Sequence, residues 1–237
     1  MLFRSNVMDG AEDPGFPSPE AFLGRSCPFE NKRGWSATVR RKDHFAFSLQ
    51  VYAIAIKLHG VSTPVLESHW HMVSKKSTVL TSYPSSTVTL PAGYKLVGGG
   101  AETHSTTYYG NHITKSFRYS ANSWQATGRD NMVNDFGYIT AYAIGIDPDF
   151  PGWGTLDVYE NGRVVASPSG SQYVTVAPPS GCAPACPSAM VTGTGGQGRM
   201  VSSLYVGTDG YATLRSIDGN AASTGLNYIT LSGVKKR

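Results

Sequence analysis

No run of about twenty apolar residues occurs in this 237-residue chain, so no membrane-spanning helix is expected. Charge is scarce too. Asp, Glu, Lys and Arg make up 15% of the residues, and the formal net charge is +4. A nucleic-acid surface calls for a denser basic face with aromatic platforms. The basic clusters, Lys32-Arg33, Arg40-Arg41-Lys42, Lys75-Lys76 and Lys235-Lys236-Arg237, read as solvated turns and a polar tail, and no nucleic-acid partner is expected. There are three cysteines. Cys182 and Cys186 flank Ala-Pro-Ala in a Pro/Gly-rich loop, where a small local disulfide or two free thiols are both open, and Cys27 is left over. No second Cys/His pair follows to complete a zinc set. There is no Gly-x-Ser-x-Gly motif and no histidine beside the cysteine pair, so nucleophilic catalysis lacks a signature. Asp and Glu are few and lie mostly in turns, and no carboxylate pair for glycoside hydrolysis stands out. Met1 to Pro19 carries Asp9, Glu12, Asp13 and three prolines, without the apolar centre of a signal peptide. Export would use a signal outside this sequence or another route.

Long helix-forming runs are missing as well. The chain is filled instead by 27 Gly, 14 Pro, 13 Tyr and plentiful Ser and Thr. That composition predicts an all-β protein of many short strands and turns.

One stretch recurs. Trp124-Gln125-Ala126-Thr127-Gly128-Arg129-Asp130 is followed by an alternating strand over 138–146. Trp35-Ser36-Ala37-Thr38-Val39-Arg40, with Asp43 just after, precedes a similar strand over 51–58, and Tyr211-Ala212-Thr213-Leu214-Arg215, with Asp218 just after, precedes 228–231. The offset from Ala37 to Ala126 is 89 residues and from Ala126 to Ala212 is 86. A period this constant marks an internally repeated fold. The copies span 1–60, 61–147 and 148–237, within one domain, and the first lacks the leading hairpin that 66–90 gives the second.

Local patterns set further expectations. The strand Tyr142, Ile144, Ile146 presents large residues on one face and Ala141, Ala143, Gly145 small ones on the other, and the large faces are expected to fill the centre. Gly98-Gly99-Gly100 predicts a bulge or close backbone approach, since no phosphate-binding helix follows it. Asn161-Gly162 between apolar alternations predicts a hairpin joining 156–159 to 163–166. The architecture that fits best is three antiparallel sheets around a pseudo-threefold axis, β-prism-like. A β-trefoil or tandem small sandwiches are the alternatives, the latter opposed by the absence of linkers.

Two sets of residues are candidates for chemistry. Asp43-His44, Asp130-Asn131 and Asp218-Gly219 open loops after the three Ala-Thr-x-Arg segments. Carboxylates and amides there suit hydrogen bonds to sugar hydroxyls, with Phe45, Phe47, Phe136 and Tyr211 nearby for stacking. The other reading is that each aspartate caps its own turn. Glu67, His69 and His71 share one face of a predicted strand, a pattern able to hold a divalent metal such as Zn, Cu or Ni. No other cofactor is expected.

The three-copy all-β pattern resembles the pseudo-threefold β-prism proteins, which include jacalin-type plant lectins, egg vitelline outer-layer proteins and receptor-binding domains of some bacterial toxins. The sugar-binding loop sequences of those lectins are not matched. Gly34 to His44 also looks like repeats in secreted bacterial proteins. The first resemblance implies a non-enzymatic, secreted or cell-surface protein that binds carbohydrate or a glycoconjugate. The alternatives are a self-assembling subunit, in which the incomplete first repeat is completed by strand exchange into a homo-oligomer, and a metal-dependent enzyme using Glu67, His69 and His71.

Overall fold

Short alternating segments bounded by Gly, Pro, Asn and Ser leave little room for helix. The computed structural model describes residues 2–3, 21–29, 34–41, 51, 53–54, 56–105, 110–130, 135–193, 198–218 and 222–237. Among these, α1 (Thr63–Ser68) is the one helix. The strands are β1 (Leu2–Phe3), β2 (Ala21–Pro28), β3 (Trp35–Arg41), β4 (Ala53–Ile54), β5 (Trp70–Lys76), β6 (Ser85–Thr89), β7 (Lys95–Ser105), β8 (His112–Ser120) and β9 (Ser123–Arg129). They continue with β10 (Gly137–Ile146), β11 (Asp149–Phe150), β12 (Gly154–Ser167), β13 (Gln172–Val176), β14 (Ala183–Val191), β15 (Arg199–Val206), β16 (Ala212–Asp218) and β17 (Gly225–Lys236). The protein is nearly all β, in several antiparallel sheets.

One connectivity occurs twice. β10 pairs with β5 and β7, and β17 with β12 and β14. β9 pairs with β6 and β8, and β16 with β13 and β15. The two sets are then stitched to their neighbours. β7 meets β2 through Ala101↔Ser26, and β14 meets β8 through Ala189↔Ser116. The sheets therefore run β3-β2-β7-β10-β5 and β11-β12-β17-β14-β8-β9-β6, with β13-β16-β15 and the short β1-β4 beside them.

β2, β8 and β15 each carry a bulge, at Leu23/Arg25, Ile113/Lys115 and Val201/Ser203. Counted from that bulge, Trp35, Trp124 and Ala212 hold one position in the partner strands, and Ser26, Ser116 and Leu204 another. Trp35 Nε1 donates to Ser26 Oγ at 3.1 Å, and Trp124 Nε1 to Ser116 Oγ at 3.1 Å. The third place swaps the polar Trp–Ser pair for Ala212 and Leu204, which need no hydrogen bond. This register sets Ala212 opposite Trp124's place, two residues from the match read off Ala-Thr-x-Arg. A two-residue slip keeps every side chain on its own face, so the pattern alone does not reveal it. Leu23, Ile113 and Val201 come together with Ser26, Ser116 and Leu204 around a small chamber of about 20 Å³.

The larger core contains Trp124, Ile113, Leu214, Ile229 and Leu231 along with Ala141 and Ala143, whereas Ile144 and Ile146 belong to a second cluster with Phe150, Leu156 and Leu66. The large face of β10 thus points away from the main core, opposite to expectation. The reason is volume: Trp124 already occupies that space, pressed on β7. A Cβ on Gly99 would fall on the Trp124 ring and on the Tyr142 carbonyl, and one on Gly100 on the Ser26 carbonyl. The glycine run is there for close backbone approach, as the sequence predicts.

Three local expectations change. Residues 156–166 form no hairpin. β12 runs straight through Asn161 and Gly162, which pair with Leu231 and Thr230. Gly162 is not among the glycines with positive φ, which a type I′ turn requires. A twelve-residue ladder to β17 satisfies more backbone groups than a short self-hairpin would. The Cys-Ala-Pro-Ala-Cys segment is not a free loop either: Ala183 onward is strand, Cys186 is buried in the main core, Cys182 is half-buried, and the cysteines are unbonded. In the strand expected over 51–58, Tyr52 and Ala55 lie outside the described residues, and Ala53–Ile54 pair with Leu2–Phe3.

Candidate functional site

Asp43, His44, Asn131 and Gly219 lie outside the described residues. The two placed acids are both buried, Asp130 at 9% exposure and Asp218 at 7%. Each holds the turn that leads into an edge strand. The Asp130 backbone N–H donates to the Ser82 carbonyl at 3.0 Å, just ahead of β6. Burial pushes the Asp130 carboxyl above its ordinary range, and the Ser82 side chain and Arg129 pull it partly back. Asp218 Oδ2 accepts from the Gly170 N–H at 2.6 Å, just ahead of β13, while Oδ1 accepts from Arg199 Nη1 at 2.6 Å. Asp218 thus holds a turn 48 residues away rather than its own, and the Asp130 bond to Ser82 is made by its backbone.

Arg199 went unnoticed in the sequence, where it follows a glycine-rich stretch. Its side chain has no exposed area. Besides Asp218 it donates to the carbonyls of Pro168, Gly170, Ser216 and Ser223 and to Ser216 Oγ. Arg129 and Arg215 pack over the rings of Tyr83 and Tyr173, 5.2 and 5.3 Å from the centroids, with Arg129 half-buried and Arg215 buried. Phe136 and Tyr211 are exposed.

Glu67, His69 and His71 do not share a strand face. Pro64 at the start of a short polar segment favours a helical turn, so Glu67 lies in α1 and His69 is its C-cap. His69 stacks on Phe150 with centroids 4.2 Å apart, and its Nδ1 lies 3.1 Å from the Asp147 carbonyl. His71, on β5, packs against Tyr94 at 4.8 Å. Among the described residues no group of three His, Cys, Asp or Glu is arranged to hold a metal ion.

A third place was not foreseen. β8 pairs with β14 only at Ser116 and Lys115, and beyond them its end stands apart from β12 and β17. The gap is an open cleft of about 440 Å³ lined by Phe117, Arg118, Tyr119, Ser120, Ala121, Val158, Glu160 and Tyr228. Phe117 and Tyr228 meet edge to face at 5.2 Å, and Tyr119 is 61% exposed. Polar groups beside them are held in place. Thr230 Oγ1 donates to Glu160 Oε1 at 2.6 Å, which leaves Ser188 Oγ to donate to Thr230 at 2.7 Å. Glu160 Oε2 faces Arg118 Nε at 3.9 Å. Arg118 also donates from Nε to the Ser120 carbonyl and from Nη2 to the Ala121 carbonyl, which fixes the turn between β8 and β9. Its Nη1 is buried with no partner among the described residues. Aromatic surface next to a positioned carboxylate and guanidinium can recognise a ligand with one apolar face and several hydroxyls. The clue in the sequence was the alternation Phe117-Arg118-Tyr119 just before a turn; its partners Glu160 and Tyr228 are remote, and the presumed hairpin hid Glu160.

No protein-family model matches the chain, and no curated protein matches it.

Proposed function

We propose that this chain is a non-enzymatic, lectin-like protein, secreted or displayed at a cell surface, that binds a glycan or glycoconjugate. We read its architecture as three repeats, 1–60, 61–147 and 148–237, set around a pseudo-threefold axis in the manner of a β-prism. The doubled connectivity, the three matching bulges and the chamber that they surround support that arrangement. The observation that carries the function is the cleft, with Tyr119, Phe117 and Tyr228 around a Glu160 fixed by Thr230. Asp130 and Asp218 do not line that cleft. A glycan array comparing the wild type with Tyr119→Ala and Tyr228→Ala tests the reading. Specific binding that both variants lose supports it, and a wild type that binds no glycan refutes it.

A second reading has one observation in its favour. β9 and β16 each carry a further strand, β6 and β13, where β3 is the last strand of its sheet among the described residues. A strand supplied by another copy would complete that edge. Light scattering that stays at the monomer mass over a wide concentration range would remove it.

A further inference from the structure

We infer that the cleft accepts one neutral, hydroxyl-rich sugar unit and discriminates against acidic ones, and that the described residues offer one such site. The inference rests on the glycan-binding reading and goes beyond it by assigning the ligand's charge and the number bound.

The charge follows from what an entering ligand meets. Glu160 is 35% exposed, whereas Arg118 is 13% exposed and lies behind it. Arg118 has Nε and Nη2 on the Ser120 and Ala121 carbonyls, and its third nitrogen, Nη1, is buried without accessible surface, beyond the reach of a ligand in the cleft. Glu160 has one oxygen on Thr230 and the other beside Arg118, and its carboxylate keeps lone pairs for an outside donor. A hydroxyl donates to that oxygen. A sugar carboxylate, sulfate or phosphate in the same place brings like charge against it and cannot reach the buried guanidinium to compensate. Tyr119, standing most clear of the surface, supplies the face on which the C–H side of a pyranose rests. The volume, about 440 Å³, is near the low end of ligand pockets, roughly 300–1,000 Å³. That suits one ring with part of a second.

The number follows from register. Ala101↔Ser26 in the five-stranded sheet corresponds to Ala189↔Ser116 in the larger one. Counting along the ladders from there, Tyr142 stands where Thr230 does, Met72 where Glu160 does, and Cys27 where Phe117 does. Met72 is partly buried against the second core, Cys27 has no exposed area, and the Tyr142 hydroxyl is spent on Glu102 at 2.8 Å. That place is closed by apolar packing. The same backbone frame makes a site in one sheet and core in the other.

The test is isothermal titration calorimetry of the full chain with lactose and methyl mannoside as neutral probes and with glucuronic acid and sialyllactose as acidic ones. The expected result is a stoichiometry of one, at least tenfold weaker binding of the acidic probes, and loss of binding in Tyr119→Ala without loss of fold by circular dichroism. Glu160→Gln keeps the bond from Thr230 and is expected to narrow the gap between acidic and neutral probes at least threefold. Acidic probes that bind as tightly as neutral ones, or a stoichiometry of two or three, would overturn this inference and leave the lectin reading standing. Absence of binding by every probe and on the glycan array would bring both down.

Discussion

Replacing Asp218 by Ala removes the counter-charge of a fully buried arginine. Arg199 keeps its bonds to the carbonyls of Pro168, Gly170, Ser216 and Ser223, but no anion remains beside it, and the Gly170 N–H loses its acceptor at 2.6 Å. Breaking a buried ion pair from one side costs about 3–5 kcal/mol. In a chain of this size each kcal/mol moves Tm by about 2–4 °C, so Asp218→Ala is expected to melt about 6–20 °C below the wild type. Asp218→Asn keeps an acceptor and loses the charge, and falls between the two. Replacing both partners by apolar residues, Arg199→Met with Asp218→Leu, removes the charge that would be stranded, and is expected to recover much of the loss. Differential scanning calorimetry of the four proteins, with saccharide titrations beside it, separates a clamp from a ligand contact. An Asp218→Ala protein that melts within 2 °C of the wild type but no longer binds sugar would refute the clamp and restore this aspartate to the binding site.

Three further outcomes are expected. Gly99→Ala drives a methyl into the Trp124 ring and the Tyr142 carbonyl; it should lower the urea midpoint by the equivalent of about 1–3 kcal/mol at constant m-value, and an unchanged midpoint would mean that β7 and Trp124 are not in contact. Burial raises the Asp130 carboxyl above its unfolded value of 3.8, so the folded state holds its proton more firmly and the contribution of this group to stability falls as pH rises through that window; urea titrations across pH 3.5–6 should show Asp130→Asn gaining on the wild type as pH rises, and the opposite trend would overturn the assignment. Cys27 is fully buried, with its thiol pushed up by burial, and Cys186 is buried too, whereas Cys182 is half-buried; a thiol reagent on the native protein should label Cys182 alone, with all three reacting after unfolding.

The strand content was legible because period-two alternation and turn residues are local signals. The triple glycine could be read correctly for the same reason: a missing Cβ points to close approach whatever approaches. Asn161-Gly162 misled because the same dipeptide serves a turn or a straight edge strand, and the choice is made by β17, some seventy residues later in the chain. Pro64 held the signal that Glu67 starts from a helix, but the alternation of Glu67, His69 and His71 outweighed it. Among the functional candidates, the aspartates were visible as residues but their employment was not, since Arg199 and Gly170 reach Asp218 only through folding. The cleft was invisible for a stronger reason: Tyr119, Glu160 and Tyr228 come from three strands separated by tens of residues, and no spacing rule joins them.

The stitching of β2 to β7 and of β8 to β14 also sets a timetable for the newly made chain. Ser26 must wait for Ala101 and Ser116 for Ala189, intervals of 75 and 73 residues. At synthesis rates of about 5–20 residues per second, each hairpin emerges roughly 4–15 s before the strand that will cover its edge. A growing chain therefore carries bare sheet edges for most of its synthesis, when pairing with a neighbouring nascent chain competes with waiting. A cell that makes this protein in quantity has reason to shield those hairpins until the last third of the chain arrives.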